Sequence, residues 1–324
     1  MSDVLELIKR IEKESLKAKA DAYDAQGLLR LQEVAKNYDG QFKLIRSDEL
    51  LKEIQARPQV TLHSVPTLPL LNDIIGGFRE QQLITVSAHS KHGKTSWAMF
   101  LIEEYAKLNP VMIPLEQSNE ELVQQRHDNG YSIPIFLSPR RLAARVTVDW
   151  IEERVVEGIA KYDTKIVFID HLGYIDDFGE DGKYARENHS YRIEMIMKGL
   201  KNLAKRWNVI IVLLVHISQS DEGKPPTLQD LKGSSSILQE SDMVMMLWRK
   251  NEQKKKVRVY SNKTMCSILA NRRTGKNGSV GLEFEAETGR FKEENGWVQS
   301  MIKAAEQSVA ADEEFDRMGG GEPE

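Results

Sequence analysis

The chain has 324 residues, of which 40% are hydrophobic and 29% are charged, and its formal net charge at pH 7 is −4. This length accommodates one large domain or two modest ones, and the overall charge does not by itself indicate a nucleic-acid-binding protein. The single cysteine, Cys266, excludes a disulfide framework and a cysteine-based zinc module. Because the sequence shows neither an apolar run of the ~20 residues that span a membrane nor a secretory signal, we expect a cytoplasmic protein (host cytoplasm if viral) without a membrane partner.

Residues 1–60 are predicted to form a small helical extension. Spaced apolar residues indicate helices over the first part of this region. A second short helix is predicted from Ser47 to Ala56, with Leu51 and Ile54 on its apolar face, and Pro58 ends it. Two interpretations remain open: the extension packs on its own domain, or this helix docks on a neighbouring subunit.

Residues 61–297 are predicted to form an α/β domain with a mostly parallel sheet flanked by helices. Six apolar runs read as strands: LITVSA, VMIPLE, PIFLS, TKIVFID, VIIVLLVH and DMVMMLW. Several are apolar on both faces, and helical segments alternate with them, as in doubly wound folds. Residues 298–324 are acidic and end near three glycines, so we expect a disordered tail that keeps the protein soluble or anchors Phe315 in a partner.

A phosphate-binding loop is predicted directly after the first of these strands. A strand, a loop ending in Gly-Lys-Thr and a helix are the context of a P-loop, in which backbone N–H groups and the helix N-terminus surround phosphates. Lys94 would neutralise the β and γ phosphates of ATP, and Thr95 would place its hydroxyl on Mg²⁺. The loop starts with alanine where glycine is usual, and it is bulkier than most. Its residues are Ala88, His89, Ser90, Lys91, His92, Gly93, Lys94, Thr95 and Ser96.

Three further strands end in polar side chains that suit ATP hydrolysis. KIVFID ends in Asp170, the predicted second contact of Mg²⁺, because open α/β sheets bind ligands beyond the carboxyl ends of their strands. VMIPLE ends in Glu116, a candidate general base for the attacking water. VIIVLLVH ends in His216, which is placed to sense the γ-phosphate.

The order of these motifs resembles the helicase domain of the DnaB-like replicative helicases, a RecA-fold family that includes Twinkle and phage helicase-primases. The resemblance covers residues 61–291 and implies a RecA-like P-loop NTPase core. AHSKHGKTSWAMFL is similar to the family's Walker A region, PLEQSNEEL to its motif with the catalytic glutamate and KIVFIDHLGYI to its Walker B strand. A histidine sensor at His216 is typical of the phage and Twinkle branch. The family also implies that Arg249 and Phe284 flank the nucleotide base.

The segment TLQDLKGSSSILQESDMVMMLWR resembles the family's DNA-binding loop, which lines the central channel and grips single-stranded DNA. Small residues around one cation suit a loop that follows a phosphate backbone without reading bases. Asp230 is expected to organise the loop, and a plain polar turn is the alternative interpretation. The residues implied to contact DNA are Lys232, Gly233, Ser234 and Ser235, with Lys224 as a weaker candidate.

The segment ILANRRTGKNGSVGLEFEAETGRF resembles the family's arginine finger, which enters the ATP site of a neighbouring subunit. It offers Arg272 and Arg273, and we favour Arg272. The family usually carries a lysine two residues earlier, where this chain has Ala270 or Asn271. This departure leaves open which arginine is the finger, or whether both are surface residues.

The resemblance implies an ATP-dependent replicative helicase that acts on single-stranded DNA and forked duplex. It also implies a ring, which we expect to be a hexamer. A separate primase, loader or polymerase is an expected partner, since residues 1–60 cannot hold a primase. Two alternatives remain: a RecA-like recombinase or mediator, and an ATP-gated DNA-binding scaffold without motor activity. The presence of Lys94, Thr95, Glu116 and Asp170 argues against the scaffold.

Overall fold

The computed structural model describes eight stretches of the chain, residues 45–56, 61–132, 136–137, 146–176, 189–217, 223–231, 234–254 and 257–303. The chain forms two compact units, residues 1–60 and 61–324. The helices predicted before residue 45 and the tail predicted beyond residue 303 lie outside the described residues, as do Lys232 and Gly233. None of the helices in the described stretches is long and apolar enough to cross a membrane.

Helix α1 (Ser47–Ala56) is the described element of the first unit and begins and ends where the sequence predicts. Acidic Asp48 and Glu49 occupy its first turn, where negative charge is favourable near the unpaired N–H groups. Its apolar side chains are largely solvent-accessible, since Leu51 and Ile54 are each 53% exposed.

The second unit contains a nine-stranded sheet among the described residues, in the order β3-β2-β4-β5-β1-β6-β7-β8-β9. The five pairings from β3 to β6 are parallel, and the three from β6 to β9 are antiparallel. The strands are β1 (Leu83–Ala88), β2 (Val111–Pro114), β3 (Phe136–Leu137), β4 (Ile166–Asp170), β5 (Ile210–His216), β6 (Met243–Lys254), β7 (Val257–Asn271), β8 (Gly278–Glu285) and β9 (Arg290–Glu293). The predicted mostly parallel α/β architecture is confirmed, and three antiparallel strands extend it beyond the six predicted.

Helices cover both faces of this sheet. Their starts follow sequence signals: Ser118 and Glu121 form a capping box, and Thr147 accepts a hydrogen bond from the N–H of Trp150. The helices are α2 (Pro69–Ile75), α3 (Lys94–Glu104), α4 (Asn119–Asp128), α5 (Val148–Tyr162), α6 (His189–Trp207) and α7 (Ser234–Glu240).

The core consists of two large apolar clusters, one on each face of the sheet. The first joins α2 and α3 to alternate strand residues and includes fully buried Trp97 and Phe100. The second joins α5 and α6 to the other alternate residues and includes Val155 and Leu200. Because β1, β4 and β5 are buried on both faces, they are continuous apolar runs, as expected for the interior of a parallel sheet.

The C-terminal end of the described chain differs from the sequence prediction. The sequence indicates that the domain ends at residue 297, whereas residues 296–303 are helical. Val298 is fully buried against Trp248 and Met265, with Trp297 and Met301 beside them. These few apolar residues precede a strongly acidic stretch, so the composition of the whole segment did not indicate that its first residues are ordered. They pack on Trp248 at the edge of the sheet.

Candidate nucleotide-binding site

The predicted P-loop joins the carboxyl end of β1 to the start of α3. Gly93 caps α3 with a φ of 88°, a left-handed conformation that glycine adopts without steric cost. Lys91 also has a positive φ, of 65°, at a non-glycine position. The N-terminal N–H groups of α3 lack partners within the helix, so this end of the helix suits an anion such as a phosphate.

The two histidines of the loop point into the protein. His89 and His92 are 5% and 0% exposed, and their rings lie 5.2 Å apart. His92 Nδ1 accepts a hydrogen bond from the backbone N–H of Arg249 at 3.0 Å, and its ring meets Tyr260 edge-on at 5.3 Å. The two imidazole rings therefore pack inside the protein, while Ser90 and Lys91 are exposed.

Lys94 reaches back into the loop rather than into solvent. Its ammonium group donates to Ala88 O at 3.1 Å and to His216 Nδ1 at 2.9 Å. Burial lowers the pKa of Lys94 to about 8, against the opposing charges of Asp170 and Glu116. At neutral pH the side chain is still mostly protonated, as charge neutralisation of phosphates requires.

Thr95 and Asp170 meet directly. Thr95 Oγ1 donates to Asp170 Oδ2 at 2.8 Å, and Asp170 is only 2% exposed. Burial raises the pKa of this carboxyl group, a shift that the Thr95 hydrogen bond opposes. The other carboxylate oxygen, Oδ1, is buried without a hydrogen-bond partner. A buried carboxylate with one unsatisfied oxygen beside a hydroxyl is a donor set that fits a hard cation such as Mg²⁺.

Glu116 lies against two imidazole rings. Its Oε2 is 3.4 Å from His216 Nε2 and 3.7 Å from His171 Nε2. The two rings meet edge-on with centroids 4.2 Å apart, and Glu116 is 45% exposed, so a water molecule can reach it. His171 was not predicted from the sequence, although it directly follows Asp170.

The three side chains of Glu116, His171 and His216 are close enough to hold a metal ion, with ligand atoms within 4.8 Å of one another. The hydrogen bonds argue for a different role. Lys94 donates to Nδ1 of His216, and the N–H of Gly173 donates to Nδ1 of His171 at 3.0 Å. Both rings therefore carry their proton on Nε2, where it points to the carboxylate and competes with a metal. Burial lowers the pKa of both histidines, that of His171 to about 4, so both are neutral at pH 7.

A polar cavity of about 400 Å³ opens beside the P-loop. Helix α4 and its C-cap residue supply one wall through Leu122, Gln125, Arg126 and Asn129, which are spaced i, i+3, i+4 and i+7 along one face. The remaining lining residues are Thr95, Ser96, Met99, Gln117, Tyr131 and Phe284.

Two residues of this cavity that the sequence analysis missed are coupled to each other. The guanidinium of Arg126 lies over the ring of Tyr131 at 5.4 Å and donates to Ser132 O. Tyr131 Oη donates to Ala286 O at 2.6 Å, which links this wall to the turn after β8. The capping box in the sequence indicates where α4 begins, but it does not indicate which face of the helix lines the cavity.

The two predicted base-flanking residues lie two strands apart. Arg249 is on β6, where it lies over the ring of Tyr260 at 5.6 Å, whereas Phe284 is on β8, packed on Phe291 at 5.1 Å. Phe284 lines the cavity and Arg249 does not. The structure thus brings Phe284, but not Arg249, beside Thr95 and Ser96.

The predicted DNA-binding loop starts directly behind His216. An isolated bridge pairs Ile217 with Leu231, so the chain that leaves β5 returns to it just before α7. Asp230 Oδ2 accepts hydrogen bonds from the N–H and Oγ1 of Thr227, at 2.6 and 2.9 Å. Ser235 and Lys224 are exposed, and Ser234 begins α7.

The two adjacent arginines make different contacts. Arg273 Nη2 donates to three consecutive carbonyls at the end of α2, Ile75 O, Gly76 O and Gly77 O, at 2.8, 2.6 and 3.1 Å. Arg272 is exposed, and its guanidinium meets Gln239 O at the end of α7. Arg273 thus binds the C-terminal carbonyls of α2 within its own domain, and Arg272 lies at the surface.

Comparison with known proteins gives the family. The model of the DnaB-like helicase C-terminal domain matches residues 131–293, half of the chain. The chain belongs to this family. The matched stretch of the DnaB-like domain includes Asp170, His216 and both arginines, whereas Lys94, Thr95 and Glu116 precede it, so their assignment depends on the geometry above.

Curated relatives and solved structures of DnaB-like proteins extend the likeness toward the N-terminus. The chain is 29% identical to the replicative DNA helicase DnaB of Treponema pallidum, over 77% of this chain and 61% of that protein. It is 24% identical to the DnaB of Mycoplasma pneumoniae, over 88% and 70%. The chain thus spans 61% and 70% of the length of these two relatives.

Two solved structures share the fold. The ATPase domain of G40P superposes with a TM-score of 0.59 at 20% identity, covering 76% of this chain and 96% of that one. A DnaB-like replicative helicase, described with its interactions with primase, gives 0.58 at 18%, covering 90% and 76%. The predicted RecA-like core and the DnaB-like resemblance are confirmed.

Proposed function

We propose that this chain is an ATP-dependent replicative DNA helicase, which moves along single-stranded DNA and separates duplex strands. The observation that carries the proposal is the convergence of Lys94, Thr95, Glu116, Asp170 and His216 at the carboxyl edge of one parallel sheet. The match to the DnaB-like helicase family and the relatives named as replicative DNA helicases support DNA as the substrate.

ATP binds with its phosphates at the P-loop. Backbone N–H groups of the loop and the first turn of α3 surround the phosphates, and Lys94 exchanges its contacts with Ala88 O and His216 for phosphate oxygens. The cavity beside Thr95 then receives the ribose and base, with Phe284 and Tyr131 as apolar surfaces and Arg126 as a cation.

Asp170 and Thr95 would hold the Mg²⁺ that accompanies ATP, and a cation bound there would offset the negative charge of the phosphates. The chain's own contribution is the orientation of Thr95 Oγ1 by Asp170 Oδ2 and the unsatisfied Oδ1 beside it.

Glu116 acts as the general base that takes a proton from the attacking water. Its partial exposure admits that water, and the Nε2–H group of His216, 3.4 Å from Oε2, orients the carboxylate, with His171 Nε2 nearby at 3.7 Å. Because His216 contacts both Lys94 and Glu116, it registers whether a γ-phosphate has drawn the lysine away.

His216 also directly precedes the segment that we propose to contact DNA. His216 is the last residue of β5, and the Ile217–Leu231 bridge ties the following segment to the start of α7. We assign the DNA backbone contacts to Ser234, Ser235 and the exposed Lys224, together with Lys232 and Gly233 outside the described residues.

The protein works as a ring, which we take to be a hexamer in the cytoplasm. Arg272 supplies the trans-acting cation, since it is exposed and, among the described residues, contacts only the carbonyls Leu238 O and Gln239 O at the end of α7, whereas Arg273 is half-buried against three carbonyls at the end of α2. The apolar face of α1 covers the adjacent protomer. A primase, loader or polymerase from another chain completes the assembly.

Unwinding of a forked duplex with ATP and Mg²⁺ tests this function. The native chain should separate the strands, and Lys94→Ala and Glu116→Gln should not, whereas the exposed-lysine control Lys107→Ala should behave as native. Glu116→Gln should still bind ATP. Strand exchange without unwinding would contradict the helicase and favour a recombinase, and full ATPase activity in Glu116→Gln would remove the base assignment.

A further inference from the structure

Arg126 is the only charged side chain among the described residues that line the cavity beside the P-loop, and it is 6% exposed. Its position follows from the spacing of α4. Leu122 is buried in the core of the domain, and Arg126 lies one turn later on the same face of the helix. Because an arginine is seldom buried to this degree unless it is paired, the N–H groups of its guanidinium require acceptors.

The contacts of Arg126 leave the outer nitrogens of its guanidinium without a partner. Nε donates to Ser132 O, and the group lies over the ring of Tyr131 with Cζ 5.4 Å from the ring centroid. No other residue in the described part of the chain accepts a hydrogen bond from Nη1 or Nη2. Burial lowers the pKa of Arg126, and the charge of Glu103 opposes this shift. A ligand that brings acceptors into the cavity would therefore be favoured.

The ring that supports Arg126 is itself fixed. Tyr131 Oη donates to Ala286 O at 2.6 Å. Gly289, in the turn between β8 and β9, has a φ of 71°, and a Cβ at this position would come within 2.8 Å of the ring of Tyr131. The backbone of the turn thus packs directly against the ring. Since its support is held in this way, the guanidinium needs little rearrangement in order to bind a ligand.

The other polar side chains of the cavity impose no such requirement. A hydroxyl or an amide group can donate or accept a hydrogen bond, whereas a guanidinium can only donate. The hydroxyl and amide residues of the lining are Thr95, Ser96, Gln117, Gln125 and Asn129. Arg126 is therefore the lining residue that discriminates between ligands by the acceptors that they carry.

Purine bases differ in the acceptors that they offer to a guanidinium. Guanine presents O6 and N7 side by side, and two N–H groups of one arginine can donate to both atoms at once. In adenine an amino group takes the place of O6 and lies beside both N1 and N7. Because this amino group is itself a donor, it disfavours the second hydrogen bond.

On the basis of the function proposed above, in which this cavity receives the base, we propose that Arg126 selects purine nucleotides with a 6-keto group. Nη1 and Nη2 donate to O6 and N7 of the base, and GTP binds more tightly than ATP, which remains a substrate. The cavity of about 400 Å³ has room for either purine. The ring of Tyr131 positions the guanidinium without neutralising its charge.

Equilibrium binding of ATP, GTP and inosine triphosphate with Mg²⁺, measured by displacement of a fluorescent ATP analogue, tests this selection. Inosine triphosphate has the 6-keto group of GTP without its 2-amino group, so it isolates the contribution of O6. Arg126→Gln replaces the guanidinium with an amide that can donate or accept. Arg154→Gln is the matched control, because Arg154 also lies over an aromatic ring, that of Trp150 at 5.5 Å, but on α5 at the other face of the sheet.

The native chain should bind GTP and inosine triphosphate at least about fivefold more tightly than ATP, and Arg154→Gln should keep this ratio. In Arg126→Gln the three affinities should lie within about twofold of one another. Thermal unfolding shows whether each variant folds. If Arg126→Gln does not fold, Arg126→Lys should lower the ratio instead, because an ammonium group keeps the charge but cannot donate in a fork.

Three results would overturn the role of Arg126 and leave the proposed function standing. The first is binding of ATP that is as tight as that of both keto nucleotides. The second is a preference that persists in Arg126→Gln. The third is a preference for GTP that inosine triphosphate does not share, since it would assign the discrimination to the 2-amino group. Binding of none of the three nucleotides would overturn the proposed function together with the role of Arg126.

Discussion

The ammonium group of Lys94 donates a hydrogen bond to Nδ1 of His216 across 2.9 Å. This contact fixes the histidine tautomer and turns its Nε2–H toward Glu116 Oε2, 3.4 Å away. One neutral imidazole thus joins the proposed phosphate-binding lysine to the proposed general base. In this proposal ATP draws Lys94 away, His216 loses its hydrogen-bond donor, and the imidazole passes the change on to Glu116.

Replacement of His216 should therefore affect turnover more than binding. We expect His216→Ala to change the ATP dissociation constant by less than about threefold and to lower kcat by roughly 10- to 100-fold. His216→Gln should retain more activity, because an amide can accept from Lys94 and donate to Glu116. Nucleotide binding and steady-state hydrolysis measure the two effects. Equal losses of kcat in His216→Ala and His216→Gln would show that turnover does not depend on the contact of His216 with Lys94 and Glu116.

Substitution of Asp170 should separate activity from stability. Asp170→Asn keeps the size of a buried side chain and removes a charge that burial disfavours, so the melting temperature should not fall. The proposed anionic Mg²⁺ ligand is lost, so ATP hydrolysis should fall by about 100-fold or more, with a higher Mg²⁺ requirement. Thr95→Ser, which keeps the hydroxyl, is the mild control. A Mg²⁺ titration identical to that of the native chain would exclude Asp170 as a ligand.

Local sequence patterns predicted the part of the site that lies at strand ends. Lys94, Glu116, Asp170 and His216 each follow or end an apolar run, and parallel strands bring their carboxyl ends to one edge. For these four side chains to meet, the strands that they follow or end must be neighbours in the sheet. The strands β2, β4, β5 and β1 are consecutive in it.

The cavity beside Thr95 could not be predicted in the same way. Its lining comes from a helix, a loop and an antiparallel strand, which contribute Arg126, Tyr131 and Phe284. These residues are far apart in the sequence and come together only in the folded domain. β7 to β9 escaped prediction because their polar residues break the apolar runs that mark β1 to β6. The role of Arg273 was equally hidden, since its acceptors at Ile75 to Gly77 lie almost 200 residues earlier along the chain.

The two arginines should differ in stability. Arg273→Ala removes a charged donor from three carbonyls at the end of α2, so we expect the free energy of unfolding to fall by about 1.5–3 kcal/mol. Arg272→Ala should leave stability within about 0.5 kcal/mol and abolish the ATPase activity of the proposed ring. Urea denaturation and ATPase assays on both variants measure this. A stable but inactive Arg273→Ala protein would reverse the finger assignment.

Cys266 should be unreactive in the folded protein. It is fully buried on β7, and burial raises the pKa of its thiol to about 12. The thiolate is the reactive form, so iodoacetamide at pH 9 should leave the native chain unmodified and alkylate it fully in urea. Since the folded pKa lies above the unfolded one, this residue favours folding at low pH, and its contribution is lost as pH rises from about 9 toward 12. Cys266→Ser provides the unlabelled control, and rapid native alkylation would show that β7 opens.

Assembly of the proposed ring should depend on the apolar face of α1. Leu51 and Ile54, each 53% exposed, would become buried against a neighbouring protomer. Leu51→Glu with Ile54→Glu should therefore convert the oligomer to monomers in sedimentation velocity, and ATPase activity should fall with it because the proposed finger acts in trans. Lys52→Gln with Ala56→Glu changes the net charge equally on the opposite face and should leave the oligomer intact. Intact rings with glutamate at both apolar positions would show that α1 does not hold the subunits together.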